Sequence, residues 1–159
     1  MKTSNISIGK DVIIDPSSAI NNVTIADNVK IAKYCSIYGA ESNILEIGKD
    51  SYIGMFSILN GYSRKIKIGK NVSIAQNVNM MTDSGPNASE EMQAYFPIIK
   101  GEIAIGDHSW IGANVVVMPD VILGEFCVVA ANSFVNSSFP AYSVIGGNPA
   151  RLIKTIEKK

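Results

Sequence analysis

Few side chains in this sequence are of a type that could do chemistry on a substrate. His108, in the string IGDHSW, is the single imidazole among 159 residues. Imidazole is the side chain best suited to taking a proton near neutrality. Asp83, in MMTDSGPN, is the other candidate base, although a carboxylate needs burial or an acidic neighbour to be effective there. The bland alternative for His108 is a surface residue at a turn. One histidine cannot supply the three imidazoles of a catalytic zinc site within one chain, so no metal is expected. Two cysteines, Cys35 and Cys127, are too few to staple a secreted fold, and the pattern described next puts both inside the core.

The elements that must position these residues follow from a period of six. Aliphatic residues open frames at Ile8, Ile14, Ile25, Ile31, Ile47, Ile53, Leu59, Ile68, Ile74, Met80, Ile105, Ile111, Val117, Leu123 and Val129. The fifth position of those frames reads Val12, Ser18, Val29, Cys35, Ser51, Ser57, Ser63, Val72, Val78, Ser84, Ser109, Val115, Val121, Cys127 and Ser133, always Ser, Val or Cys. Six residues make one short strand and a corner, and three such units close a triangular coil of about 18 residues, stacked on the next at about 4.8 Å. The aliphatic residue fills the prism. The fifth residue points into a crowded corner, hence its small size. The second position is mostly Gly, Ala, Asn or Asp, residues that suit corners through positive φ or bonds to their own backbone. One all-β solenoid domain over residues 1–159 is expected.

Three breaks interrupt the period, and insertions on a solenoid project outward, where function can sit. The first spans Tyr38 to Leu45. The second, Asn60 to Lys67, carries Asn60, Tyr62, Arg64 and Lys65. The third, GPNASEEMQAYFPIIKGE over 85–102, predicts an extruded loop with one helical turn capped by Ser89, and its Tyr95 and Phe96 could lie against another subunit. After Val135 the repeat fades. Asn148 as cap, Pro149 and then ARLIKTIEKK predict a C-terminal helix over about 149–157, closing the prism.

Composition narrows the function. Lys plus Arg and Asp plus Glu number 14 each, giving a net charge of zero and no field to recruit nucleic acid. Neither a signal-like apolar run at the start nor a membrane-spanning run is present, so a cytoplasmic location is expected.

The segment IGDHSWIGANVVVMPDVILGEFCVVAANSFVNSSFPAYSVIGGNPARLI resembles the C-terminal coils of hexapeptide-repeat acyltransferases, in particular maltose and galactoside O-acetyltransferases and polysaccharide-biosynthesis O-acetyltransferases. WIGANV and GGNPA carry the resemblance. It implies a left-handed parallel β-helix and an acetyl-CoA-dependent O-acetyltransferase acting on a sugar or glycan precursor. It also implies a homotrimer with active sites between subunits. By position, Trp110 would flank the acyl end of acetyl-CoA, and backbone near Gly112 and Ala113 would meet the thioester or pantetheine. Ala130 and Ala131 would serve the pantetheine arm, with Arg151 and Lys154 near the phosphates. Asn60, Tyr62 and Ser84 are the candidate acceptor contacts.

Two departures stand out. The family's histidine at the start of the long loop is replaced here by Ser84 or Gly85, leaving Asp83, His108 or the substrate itself to manage the proton. Asn136 and Ser137 stand where relatives commonly carry Thr and Lys. Acylation of an amine on a nucleotide-linked aminosugar, or an inactive scaffold, are the alternatives these departures leave open.

Overall fold

A computed structural model describes residues 3–159. The first coil comprises β1 (Ile6–Ile8), β2 (Ile13–Ile14) and β3 (Ala19–Asn21), and the second β4 (Val23–Ile25), β5 (Lys30–Ile31) and β6 (Ser36–Tyr38). The third comprises β7 (Leu45–Ile47), β8 (Tyr52–Ile53) and β9 (Ile58–Asn60), and the fourth β10 (Ile66–Ile68), β11 (Ser73–Ile74) and β12 (Asn79–Met81). The extruded loop then holds β13 (Asp83–Ser84), the one-turn helix α1 (Glu90–Gln93) and β14 (Ile99–Lys100). Two more coils follow, β15 (Ile103–Ile105), β16 (Trp110–Ile111) and β17 (Val116–Val117), then β18 (Val121–Leu123), β19 (Val128–Val129) and β20 (Phe134–Val135). The chain ends with β21 (Ser143–Gly147) and β22 (Ala150–Thr155).

Each coil gives one strand to each of three faces: β1-β4-β7-β10-β15-β18 on the first, β2-β5-β8-β11-β16-β19-β21-β22 on the second, and β3-β6-β9-β12-β17-β20 on the third. All strand pairings between coils are parallel; among the described residues the antiparallel strand pairs are β13–β14 and β21–β22, besides an isolated antiparallel bridge between Ala40 and Asn43. Register keeps like positions above one another, so Ile14, Ile31, Ile53, Ile74, Ile111, Val129 and Ile145 form one column inside the second face. From Ile31 upward every member is at most 2% exposed, and burying each such side chain contributes about 1.5–3 kcal/mol. Ile37 and Val135, which open no full frame, belong to the same core and are fully buried.

The fifth-position preference has a second cause besides room. The buried Ser51 hydroxyl donates to Gly69 O (2.9 Å) and accepts from Val72 N (3.0 Å), and Ser57 and Ser109 repeat the pattern with Ala75 and Val78, and Gly124 and Cys127. A small hydroxyl thus joins two coils where the backbone turns and its own groups lack ladder partners. Cysteine imitates serine: Cys35 and Cys127 approach Gly54 O and Pro140 O at 3.2 Å, and burial pushes both thiols up.

Several expectations need correction. Positive φ falls at the fourth position, as at Asn28 (57°), Asn71 (54°), His108 (59°) and Asn132 (61°), and not at the second. The second position is small because coils touch there: a Cβ on Gly48 would lie 2.4 Å from the Gly69 carbonyl carbon. Ser63 and Ser84 do not point inward, because the chain leaves the coil just before each; Ser84 instead pairs with Ile99 across β13–β14. The expected helix over 149–157 is largely the strand β22, antiparallel to β21. An isolated helix of that length is marginal in water, whereas β21 offers an unpaired edge at the end of the second face, which β22 covers. The helical turn in the long loop is present, with Ser89 Oγ accepting from Met92 N at 3.1 Å.

All three insertions leave the prism at one corner. Residues 39–44 connect β6 to β7, 61–65 connect β9 to β10, and 82–102 connect β12 to β15, each crossing from the third face to the first.

Candidate functional site

Where the third face turns into the first, the insertions gather Tyr38, Asn60, Tyr62, Ser63, Arg64, Thr82, Asp83 and Ser84. Asp83 is half-buried and accepts a short hydrogen bond from the Ser63 hydroxyl. Thr82, fully buried, ties the two longer insertions together: its hydroxyl donates to Asn60 O (3.0 Å) and accepts from Arg64 N (3.2 Å). Tyr62 is held from both sides, its N–H donating to Asn60 Oδ1 (3.1 Å) and its carbonyl accepting from Asn43 Nδ2 (3.2 Å). Burial, and secondarily the charge of Asp83, push the Tyr38 phenol above its usual range, so it remains a neutral donor at neutral pH. Lys65 forms an ion pair with Glu46. Among the described residues Arg64 has no carboxylate partner.

A second group runs along the second face. Trp110 is 57% exposed and lies in register with Val128, which is in register with Val144, which pairs with Lys154. Three strand spacings, about 14 Å, separate the ends of this stripe. Beside it, Gly112 and Ala113 lie one coil below Ala130 and Ala131, and Arg151 pairs with Gly146 at the top. The coil ladder already uses Gly112 N–H (to Val129 O, 2.8 Å) and Ala130 N–H (to Ile145 O, 2.9 Å). Ala113 and Ala131 N–H donate to no group among the described residues, as is also true of Lys33, Met55 and Gln76 at the same turn of the lower coils. Gly112 is required there because a Cβ would lie 2.6 Å from Ala131 N.

His108 stands at a third place, the corner between the first and second faces, two residues before Trp110. Its ring stacks on Phe126 (4.7 Å, 14°), which stacks on Tyr142 (5.1 Å, 7°). Within one chain, then, His108 adjoins the Trp110 stripe, while Asp83 and the acceptor candidates lie at the corner opposite that face. The sequence reading missed Tyr38, Ser63 and Thr82, and only the convergence of the breaks on one corner could have signalled them. No group of three or more His, Cys, Asp or Glu is placed to hold a metal among the described residues.

The family model described as bacterial transferase hexapeptide (six repeats) matches residues 103–137. The galactoside O-acetyltransferase of Escherichia coli (strain K12) is 31% identical over 77% of this chain and 60% of its own length. The putative colanic acid biosynthesis acetyltransferase WcaF of the same organism is 32% identical over 92% of this chain and 68% of its own. Among solved structures, a mutant of AntD, an N-acyltransferase from Bacillus cereus, in complex with dTDP-4-amino-4,6-dideoxyglucose and coenzyme A, superposes with a TM-score of 0.84. That match has 26% identity and covers 96% of this chain and 84% of AntD. The chain belongs to the hexapeptide-repeat acyltransferase family, and its solenoid is the left-handed parallel β-helix of that class. It spans about 60% of the length of the galactoside enzyme.

Proposed function

We propose that the protein is an acetyl-CoA-dependent acyltransferase that O-acetylates a sugar or glycan precursor in surface-polysaccharide assembly, working in the cytoplasm as a homotrimer. The observation that carries this reading is the stripe on the second face. An apolar, aromatic end at Trp110, two unused amides at Ala113 and Ala131, and cations at Arg151 and Lys154 follow one another in the order acyl group, pantetheine amides, phosphates. Relatives that act on galactosides and in colanic acid biosynthesis support the acceptor class.

The arrangement also supports a site shared between copies. The stripe and the Asp83 corner are on opposite sides of one prism, so a donor on the stripe can meet an acceptor at Asp83 only if the corner comes from another subunit. Outward Met55, Phe56 and Trp110, 42%, 53% and 57% exposed, form the kind of apolar surface that such packing would cover. In the reaction the acceptor hydroxyl attacks the thioester carbonyl and its proton passes to a base. The C–S bond then breaks, and the thiolate leaves and takes a proton back. Asp83, beside Ser63 and Tyr38, is the base we assign, with His108 lining the donor side.

The loss of the family's loop histidine and the likeness to AntD favour a second reading, transfer to a sugar amine, since a neutral amine needs less help losing its proton. Release of free CoA thiol from acetyl-CoA, measured with sugar hydroxyl and sugar amine acceptors, separates the two; the true acceptor accelerates it. Ala131→Phe is expected to abolish CoA binding in calorimetry with the melting temperature unchanged, because Ala131 is exposed and a ring there fills the groove. Sedimentation should give a trimer. Unaltered CoA affinity in the Ala131 variant would place the donor elsewhere.

A further inference from the structure

One corner column changes character halfway up the prism. Between the second and third faces Tyr34, Phe56, Asn77, Asn114 and Asn132 stand one above another, Phe56 N–H donating to Lys33 O (3.0 Å) and Asn77 N–H to Met55 O (2.8 Å). All five have positive φ. Asparagine tolerates that conformation, and the upper three form a side-chain ladder, Asn77 Nδ2 to Asn114 Oδ1 (2.8 Å) and Asn114 Nδ2 to Asn132 Oδ1 (3.1 Å). A large aromatic residue is strained by it. Yet the lower two are rings, stacked at 5.3 Å and 13°, and 58% and 53% exposed. At the corner between the first and second faces rings also adopt this conformation, but there the chain's own tail comes over them, Lys158 Nζ lying 5.8 Å from the Tyr142 ring. Tyr34 and Phe56 have no such cover among the described residues.

A depression of about 260 Å³ lies on the third face at the same level, walled by Ala19, Ser36, Tyr38, Gly39 and Tyr62. Ser36 and Tyr38 belong to the second coil, as Tyr34 does, and Tyr62 follows the third, to which Phe56 belongs. The walls are fixed: a Cβ on Gly39 would meet Asn43 O at 2.2 Å, and Gly61 N–H donates to Tyr38 O at 2.7 Å. Beneath them Asn21 Oδ1 accepts from Ser4 N (2.7 Å) and Asn22 Oδ1 from Asn5 Nδ2 (2.8 Å), while the Asn21 and Asn22 NH₂ groups donate to no acceptor among the described residues. Two aromatic walls above free donors suit a phenyl ring and a phenol oxygen. Neither Tyr34 nor Phe56 lines the depression of its own chain.

A site shared between copies brings ring pair and depression together. Asp83 follows the last strand of the fourth coil and Trp110 begins the donor stripe on the fifth, so their meeting sets like coils of neighbouring copies side by side. The stripe's Ala113 and Ala131 immediately precede Asn114 and Asn132 of the column. Two coils below the Asp83 contact, the depression of one copy therefore faces the Tyr34–Phe56 end of the next copy's column.

We infer that Tyr34 and Phe56 of one copy fill the Tyr38–Tyr62 depression of the next, a key that fixes the height at which the Asp83 corner meets the donor stripe. The inference rests on the shared-site reading and adds what holds the two halves of the site in register. An acceptor at Asp83 would have to reach down two strand spacings, roughly 10 Å, to use the depression, whereas the ring pair is already at its level.

Sedimentation and crosslinking of the full-length chain test it. Asparagine already occupies this column three times in the same conformation, so the double variant Tyr34→Asn, Phe56→Asn should fold with unchanged circular dichroism. Its self-association should weaken by about 10-fold or more, as for loss of buried aromatic anchors. Ala19→Trp, which fills the depression from within, should do the same, and Tyr34→Phe with Phe56→Tyr, which keeps both rings, should assemble like wild type. Phe56→Cys combined with Tyr62→Cys should link chains through a reducible disulfide under mild oxidation, far more than either single variant. Asparagine variants that assemble like wild type, or absence of the crosslink, would overturn the key and leave the shared site standing. A wild type that sediments as a monomer would overturn both.

Discussion

Asp83→Asn should lower turnover by about 10²–10⁴, the usual range for loss of a general base, with acetyl-CoA affinity unchanged. Asn keeps the shape and can still accept from Ser63, so the loss would belong to proton transfer. His108→Ala should cost far less. Its ring lies flat on Phe126 in a corner stack, and its removal takes away packing beside Trp110 but no proton acceptor aimed at the acceptor corner. Near-native turnover in both variants would exclude both side chains and leave the substrate to manage its own proton.

The same variants test whether the site is shared. Asp83→Asn removes the base from the acceptor corner, and Ala131→Phe blocks the donor stripe, on opposite sides of the prism. If each site takes its stripe from one copy and its corner from the next, co-refolding the two inactive chains in equal amounts restores about one site in four. Failure of such mixtures to regain activity, with mixed oligomers demonstrated, would mean that stripe and corner act within one copy.

The sequence was informative about the fold because a solenoid repeats one decision many times. An aliphatic first position and a small fifth position, seen from Ile25 to Val129, fix strand, corner and core together, and the buried positions follow that spacing closely. Reading failed where the repeat stops constraining the chain. At the C-terminus, local signals at Asn148 and Pro149 favoured a helix, but the open edge of β21 decided for a strand, and that edge is a property of the finished stack. At Ser63 and Ser84 the period continued on paper while the backbone had left the coil. The site suffered most, because Tyr38, Ser63 and Asp83 lie on successive coils, and their meeting depends on which corner each insertion uses. The outward position of Trp110 was legible, since a tryptophan at the sixth place of a frame falls outside the strictly inward first and fifth positions.

Cys127→Phe should destabilise the chain more than any surface change discussed here. Cys127 is fully buried at a fifth position, its N–H donating to Ser109 Oγ (3.1 Å) one coil below and its thiol lying 3.2 Å from Pro140 O above. The same inner corner holds Val29, Ser51, Val72, Ser109 and Ser143, all buried and none larger than valine. A phenyl ring has neither a side chain to displace nor a cavity to enter, because the layers above and below are backbone at strand spacing. Overpacking of this kind typically costs about 1–3 kcal/mol, and a rigid coil belongs at or beyond the upper end. At about 2–4 °C per kcal/mol for a domain of this size, thermal melting should fall by about 6–12 °C or folding should fail. Cys127→Ser and Cys127→Val, which place side chains already found in that column, should stay within about 1 kcal/mol of wild type. A phenylalanine variant that melts like the parent would mean that the corner can open, and the restriction of this column to small residues would then need another cause.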